Sequence, residues 1–446
     1  MPFRRIALIL AVAAGVHGLV YVPLVSTNEK TDSWSYQAAA NALRDGSYST
    51  PLKAGFVYVF PDWFDITGAS IPEAVWFAPE RQVFRPPGYP LYLAPFGREP
   101  IVEGDHAAAL VGQAVLFGLG AWLLMLTVRR WWGESVALLA GLLYALDPWS
   151  KHYVPLVLSE TLAGTVLLGG VYVFTRAWES GRLASWAGTG ALAAFLALVR
   201  AVFVLAAPLV VVAALVRRGT TRERLLRGLA AAAASAVLLV PWLSWTNHVV
   251  GRATMSVWGE GYNLALAAYG EGRGTTAADV EATPEFRAQM EAIRRTLPSA
   301  RELATDPTAH PRYLSHGDER LRSAAWSRYR ERLREEPLDV LGDGVYRMWF
   351  LWAAHEDWSQ PDALDVPFVL LDVLLLALAL AGSALALARG GAARPVVLFL
   401  LAYTLVLSTH HVEARFGIPL RGLYLALVAL ALAEVTARLR SRRADQ

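Results

Sequence analysis

Apolar residues occur along this chain in long blocks, not in the period-two alternation of half-buried strands. The first block opens behind Arg4 and Arg5 and runs to Val25; others follow at about 106–128, 133–148, 155–175, 184–199, 201–216, 227–247, 363–388, 395–410 and 416–436. Most approach the roughly 20 apolar residues that a helix needs to cross a bilayer. The pattern predicts an all-α polytopic membrane protein with about ten transmembrane helices. Ala11 to Ala14 supply the small residues of a secretory cleavage site, but the run continues past them to Val25, so the segment reads as a first anchor.

Two polar stretches interrupt the blocks. Residues 26–105 are rich in Pro, Gly and aromatics, and residues 248–362 are soluble in character; both are too long for simple connections and read as exterior functional loops with short amphipathic helices. In the first, Ser35 to Arg44 has the pattern of a helix outside the membrane. In the second, Asp318 to Glu335 is a charged amphipathic stretch suited to lying along the membrane surface. With no internal repeat, residues 1–446 read as one membrane domain. The arginine-rich connections alternate with cation-poor ones, which puts both termini in the cytoplasm and both loops outside a cell (inner) membrane. The arrangement turns on residues 184–216, which are either two spans meeting at Arg200 or one kinked helix.

Composition narrows the chemistry. The chain has 446 residues, 55% of them hydrophobic, a net charge of +3 and no basic block, which argues against nucleic acid as a partner. It has no cysteine, so disulfides and thiolate chemistry are excluded and catalysis falls to carboxylates, imidazoles and hydroxyls.

Ionisable residues gather at the outer ends of the spans, where they are costly and so mark a site. Glu29, Asp32 and Tyr36 follow the first span, with Asp32 at the head of the loop helix and Tyr36 one turn on. Arg85 stands at the mouth of VFRPPGYPLYLAPF, a Pro/Gly-stiffened re-entry suited to holding an Arg for a phosphate. Lys151 and His152 occupy a short outer loop, Glu160 is expected one to two turns into the next span, and Arg200 lies between two spans. His410, His411, Glu413 and Arg415 precede the last span; a His-His-x-Glu group could bind a divalent metal, although adjacent His residues point to different faces of a helix.

These segments, in this order, resemble the GT-C superfamily of membrane glycosyltransferases, in particular bacterial relatives of the dolichyl-phosphate-mannose protein mannosyltransferases and of the lipid A aminoarabinose transferase. The resemblance rests on Asp32 with Tyr36, Arg85 to Pro90, Ser159 to Thr161, Val199 to Ala201, Pro241, Trp242 and Asn247, Gly261 to Leu264, and Glu413 to Pro419. It implies inverting transfer from a polyprenyl-phosphate sugar to a glycan, lipid or protein acceptor at the outer face. Asp32 would be the general base, Lys151, Arg200 and Arg415 the phosphate binders with Arg85 behind them, and Glu160 the group that orients a cation or a sugar hydroxyl. Two departures stand out. The protein mannosyltransferases pair an adjacent Asp and Glu in the first loop, whereas the nearest acid here is Glu29. Relatives often carry a folded exterior C-terminal domain, whereas this sequence ends after a basic tail. The competing reading is a transporter or lipid flippase, against which stand the missing repeat and the position of the charges away from the midplane.

Overall fold

A computed structural model of the chain describes residues 3–21, 31–44, 85–96, 106–256, 259–272, 275–295, 310–353 and 366–444. Among these residues the elements are helical, with one isolated bridge between Gly272 and Thr275. In chain order they are α1 (Phe3–Tyr21), α2 (Thr31–Arg44), α3 (Gly88–Leu93), α4 (Ala107–Trp132), α5 (Glu134–Leu146), α6 (Pro148–His152), α7 (Glu160–Ser180), α8 (Leu183–Val199) and α9 (Ala206–Val216). They continue with α10 (Thr221–Val250), α11 (Glu260–Ala268), α12 (Ala277–Ala282), α13 (Pro284–Arg294), α14 (His310–Glu335), α15 (Pro337–Ala353), α16 (Val366–Arg389), α17 (Ala393–Leu407) and α18 (Arg421–Ala444).

Among the described residues five helices are long and apolar enough to cross a membrane: α1, α4, α10, α16 and α18. Four apolar segments are shorter, at Glu134–Leu146, Leu183–Val199, Ala201–Val216 and Ala393–Leu407. Many of their Leu and Val side chains are exposed, as Val115, Val237 and Leu370 are, which suits a surface that meets acyl chains instead of water.

The long helices run alternately up and down, and side-chain contacts fix the sense of several of them. Arg129 at the end of α4 lies 4.5 Å over the Phe3 ring at the start of α1. The Arg130 guanidinium meets Glu179 near the end of α7 at 2.5 Å, and Arg389 at the end of α16 meets Glu434 of α18 at 2.8 Å. These contacts collect the arginine-rich turns at one end of the bundle. Residues 184–216 form two helices, not one kinked one. Arg200 has an extended backbone (φ −142°, ψ 114°) that ends α8, a 3-10 turn over Ala201–Phe203 follows, and Arg217 at the foot of α9 donates to the Glu179 carbonyl at 3.1 Å. So α9 returns to the level at which α8 began: two antiparallel helices meet at Arg200.

Close packing sets where helices touch. A Cβ on Gly190 would lie 2.2 Å from the Ala231 carbonyl oxygen, and one on Gly382 would lie 2.0 Å from that of Leu427, so α8 meets α10 and α16 meets α18 backbone to backbone.

Three sequence expectations change. The segment expected as a span from 155 is irregular up to Ser159, because Pro155 cannot donate and the chain is held by Gln113, whose amide donates to the Val154 and Leu156 carbonyls at 2.9 and 2.7 Å. Glu160 is therefore the first residue of α7, not a residue one to two turns inside it. The first-loop helix starts at Thr31 instead of Ser35, which puts Asp32 in its first turn. Finally, the amphipathic stretch 318–335 spends much of its apolar face inside the protein, which leaves Trp326 and Leu333 exposed. Leu321, Ala325 and Tyr329 are buried in a small core with Leu264 and Ala265 of α11 and Phe286 of α13. Gly261 permits this packing, since a Cβ there would stand 2.0 Å from the Asp318 carbonyl oxygen.

Candidate active site

At the end of the bundle opposite the arginine-rich turns, side chains from five separated segments meet. The Tyr36 hydroxyl of α2 lies 3.1 Å from Ser159 Oγ, a residue 123 positions later. Its ring meets Tyr89 of α3 edge-on at 4.8 Å, and the Arg85 guanidinium lies 5.3 Å over it. The Arg-Pro-Pro-Gly-Tyr-Pro box works here through its glycine: a Cβ on Gly88 would lie 2.7 Å from the backbone of Leu198 and Val199, so only glycine lets α3 sit on the end of α8 beside Arg200.

Arg200 is nearly buried and pairs with fully buried Glu160 at 2.5 Å, while its Nη1 also lies 3.5 Å from Ser159 Oγ. A carboxylate at the first position of α7 is favoured by the helix dipole as well as by the guanidinium. Glu160 Oε2 is buried without a hydrogen-bond partner among the described residues, so it retains an acceptor. On the far side of Arg200 its guanidinium lies 5.6 Å from the Phe416 ring, and Arg415 lies 5.8 Å from the same ring. Two guanidinium groups thus flank one aromatic face.

Arg415 is held by both oxygens of Glu413. His411 bridges outward: its Nδ1 is 2.5 Å from Glu271 and its Nε2 is 3.8 Å from Glu413. Burial pushes the His411 imidazole down, but the hydrogen bond to Glu271 and the negative charges of both carboxylates outweigh it and raise the group to about 9, so it is protonated at neutral pH. Burial pushes Glu413 up, and Arg415 and His411 overcome that and hold it well below the usual carboxylate range. The whole arm is tied to the second loop. The His411 amide donates to the Asn263 carbonyl at 2.7 Å, and buried Arg347 donates to the Ser408 carbonyl at 2.7 Å, to the Glu271 carbonyl and to the Tyr329 hydroxyl.

Tyr36, Arg85, Glu160, Arg200, His411, Glu413 and Arg415 therefore converge. Lys151 and His152 have other contacts: Lys151 is buried with its Nζ 3.1 Å from His17 Nδ1 of α1, and exposed His152 rests edge-on against Tyr153. Glu29 lies outside the described residues. Asp32 falls within α2, one turn before Tyr36, and its side chain is outside what the structure describes.

For a metal at His410-His411-x-Glu413, the geometry differs from the expectation. The segment is not helical, and His411 spends its nitrogens on two carboxylates. Among the described residues no group of three or more His, Asp or Glu is arranged to hold an ion.

Sequence reasoning named Ser159 and Phe416 only as members of motifs, without a role at the site, and it missed Glu271 and Arg347. It also missed a buried triad below the site, in which Arg421 meets Asp147 at 3.2 Å and Asp372 at 3.9 Å and donates to the Trp352 carbonyl. Ionisable residues inside apolar runs were the available signal for Asp372 and Arg421. Phe416 belongs to the Glu413–Pro419 motif, but a motif by itself says nothing about which distant residues that ring meets.

The family described as dolichyl-phosphate-mannose-protein mannosyltransferase matches residues 85–245, a segment that opens on Arg85 and includes Ser159, Glu160 and Arg200. Among solved structures, the apo oligosaccharyltransferase of Archaeoglobus fulgidus aligns over 98% of this chain and 51% of its own, with 14% identity and a TM-score of 0.54. The chain shares the fold of this oligosaccharyltransferase. The Archaeoglobus fulgidus oligosaccharyltransferase AglB in complex with an inhibitory peptide and a dolichol-phosphate aligns over 99% of this chain and 51% of its own, with 13% identity and a TM-score of 0.55. ArnT from Cupriavidus metallidurans bound to undecaprenyl phosphate aligns at a TM-score of only 0.37. The chain spans about half the length of the archaeal structures it matches. No curated protein sequence matches it.

Proposed function

We propose that the chain is a glycosyltransferase that moves a sugar from a polyprenyl-phosphate carrier to an acceptor hydroxyl at the outer face of the membrane, in one inverting displacement. The observation that carries this reading is that Arg200 and Arg415 both lie within 6 Å of the Phe416 ring, at 5.6 and 5.8 Å, at the end of the bundle where the helix bearing Asp32 is bound through Tyr36 to Ser159. Two oriented guanidinium groups, each held by its own carboxylate, are suited to a phosphate that gains charge as its bond to the sugar breaks.

In the step itself the acceptor oxygen attacks the anomeric carbon, the bond from that carbon to the phosphate oxygen breaks, and the electron pair leaves with the polyprenyl phosphate. Asp32 takes the acceptor's proton. Arg200 and Arg415 hold the departing phosphate, with Arg85 behind them. Glu160 fixes Arg200 and offers Oε2 to a sugar hydroxyl, and Glu413 and His411 fix Arg415. The contact of Lys151 with His17 gives it a supporting role instead of a phosphate-binding one. The dolichol-phosphate in the AglB complex and the lipid-linked mannose in the matching family's description support a lipid-phosphate donor.

Purified Asp32→Asn protein, reconstituted with a radiolabelled polyprenyl-phosphate sugar and acceptor, is expected to lose about a hundredfold or more of its turnover, within the range of general-base catalysis. It should keep the wild-type melting point. Undiminished transfer would remove Asp32 as the base.

A further inference from the structure

Between α7, α8, α9 and α17 lies a cavity of about 870 Å³, well away from the site described above. Its walls are aliphatic and aromatic, with Phe174, Leu192, Val212 and Phe399 among them. Val212 is 52% exposed and Leu398, also in the wall, equally so, which means that the cavity opens sideways to where lipid would be. Its lower end is different: Arg217, Arg218 and Arg394 line it at the arginine-rich end of the bundle.

Those arginines carry positive charges that no carboxylate contacts directly among the described residues, although Glu223 is near enough to Arg217 to act on it through space. None forms an ion pair among the described residues. Arg217 donates to the Trp178 and Glu179 carbonyls and Arg394 to the Leu387 carbonyl, contacts that position a guanidinium without cancelling its charge. The nearby carboxylates have other partners, Glu179 with Arg130 and Glu223 with Arg227. Three arginines at the mouth of an apolar slot between helices match an anionic lipid, with a phosphate to meet the cations and acyl chains to fill the slot.

We propose that this cavity is a binding site for an anionic glycerophospholipid of the leaflet at the arginine-rich end, cytoplasmic by the positive-inside bias, with its phosphate on Arg217, Arg218 and Arg394. The site is separate from the one that would take a sugar donor: α8 alone, 17 residues long, sets the two ends roughly 25 Å apart. The two are nevertheless mechanically linked. Phe399 in the cavity wall lies 6.0 Å from the Tyr403 ring, Tyr403 stacks on Phe203 at 4.9 Å, and Phe203 follows Arg200 by three residues. An occupant would brace α9 and α17 behind Arg200.

Native mass spectrometry of the full chain, delipidated in detergent and titrated with phosphatidylglycerol or phosphatidylcholine, tests this. The wild type is expected to retain one phosphatidylglycerol in strong preference to phosphatidylcholine. Arg218→Ala with Arg394→Ala, both exposed positions, should weaken phosphatidylglycerol binding roughly twenty-five-fold, taking each cation beside an anionic headgroup as a factor of about five, and leave phosphatidylcholine unaffected. A second variant, Ala213→Phe, fills the slot and should exclude the lipid with the arginines intact. Equal binding of both lipids, or no response to either variant, would reduce the cavity to ordinary annular lipid and overturn the proposal. Retention of polyprenyl phosphate in preference to phosphatidylglycerol would overturn it too, making the slot a groove for the donor's tail.

Discussion

Glu160 and Arg200 each sit where an isolated charge is costly, and each is tolerable because of the other. Breaking a buried pair leaves one charge uncompensated, at about 3 to 5 kcal/mol. Glu160→Gln is therefore expected to lower the thermal unfolding midpoint in detergent clearly, whereas Glu413→Gln, whose residue is partly exposed, should lower it less. Equal midpoints in the two variants would show that the Glu160 pair is not buried as described. His411 makes the other residue-scale prediction. Its folded value of about 9 lies above the ordinary value of about 6.5, so the folded arm binds the proton more tightly than the unfolded chain does. The stabilisation is full below about pH 6.5 and fades as pH rises through 9. Hydrogen exchange in residues 408–420, corrected for intrinsic base catalysis, should accelerate between those limits, and the acceleration should vanish in His411→Gln. A flat wild-type profile would rule the bridge out.

Among the elements, α3 is six residues long and owes its place to one glycine. Adding a methyl group at Gly88 would drive α3 off the backbone of Leu198 and Val199, displacing Arg85 and Tyr89 relative to Arg200. A displacement near 1 Å at a reacting centre can cost about a hundredfold in rate. Gly88→Ala should therefore cut sugar transfer by that order while the melting point moves little, since α3 is a minor part of the apolar packing. Retained activity would mean that α3 does not set the position of the site. The helices of the second loop tie down the Glu413–Arg415 arm through Arg347 and Asn263. Their own hub is Asp318, whose carboxylate accepts from the Gly259, Gly261 and Tyr262 amides. Burial pushes this acid up, the amides and Arg252 pull it back, and the balance is about 6.

At the scale of the whole molecule the sidedness of the site is open to direct test, because the natural chain lacks cysteine and any introduced one is unique. Glu260→Cys lies at the end of the bundle that carries the proposed active site, and Ser180→Cys lies at the arginine-rich end; both positions are exposed. In sealed right-side-out vesicles a membrane-impermeant maleimide should label the first and not the second. The reverse pattern would invert the topology and with it the outer-face assignment.

The sequence alone determined the class of molecule, because apolar blocks of membrane length and arginine-rich turns depend on composition and spacing, which can be read without knowing any contact. It also pointed to Tyr36, Arg85, Glu160, Arg200 and Arg415, since ionisable and rigidifying residues beside apolar runs are costly enough to be conspicuous. Tertiary structure decided which of these meet. Lys151 carries the same local signal as Arg200, yet it turns to His17, while Arg200 finds Glu160 and Phe416. The helix boundary at Glu160, the antiparallel turn at Arg200 and the parts played by Glu271 and Arg347 were likewise fixed by partners far along the chain. Pairing between distant residues is set by how helices pack, and a local pattern of charge and hydropathy holds no record of it.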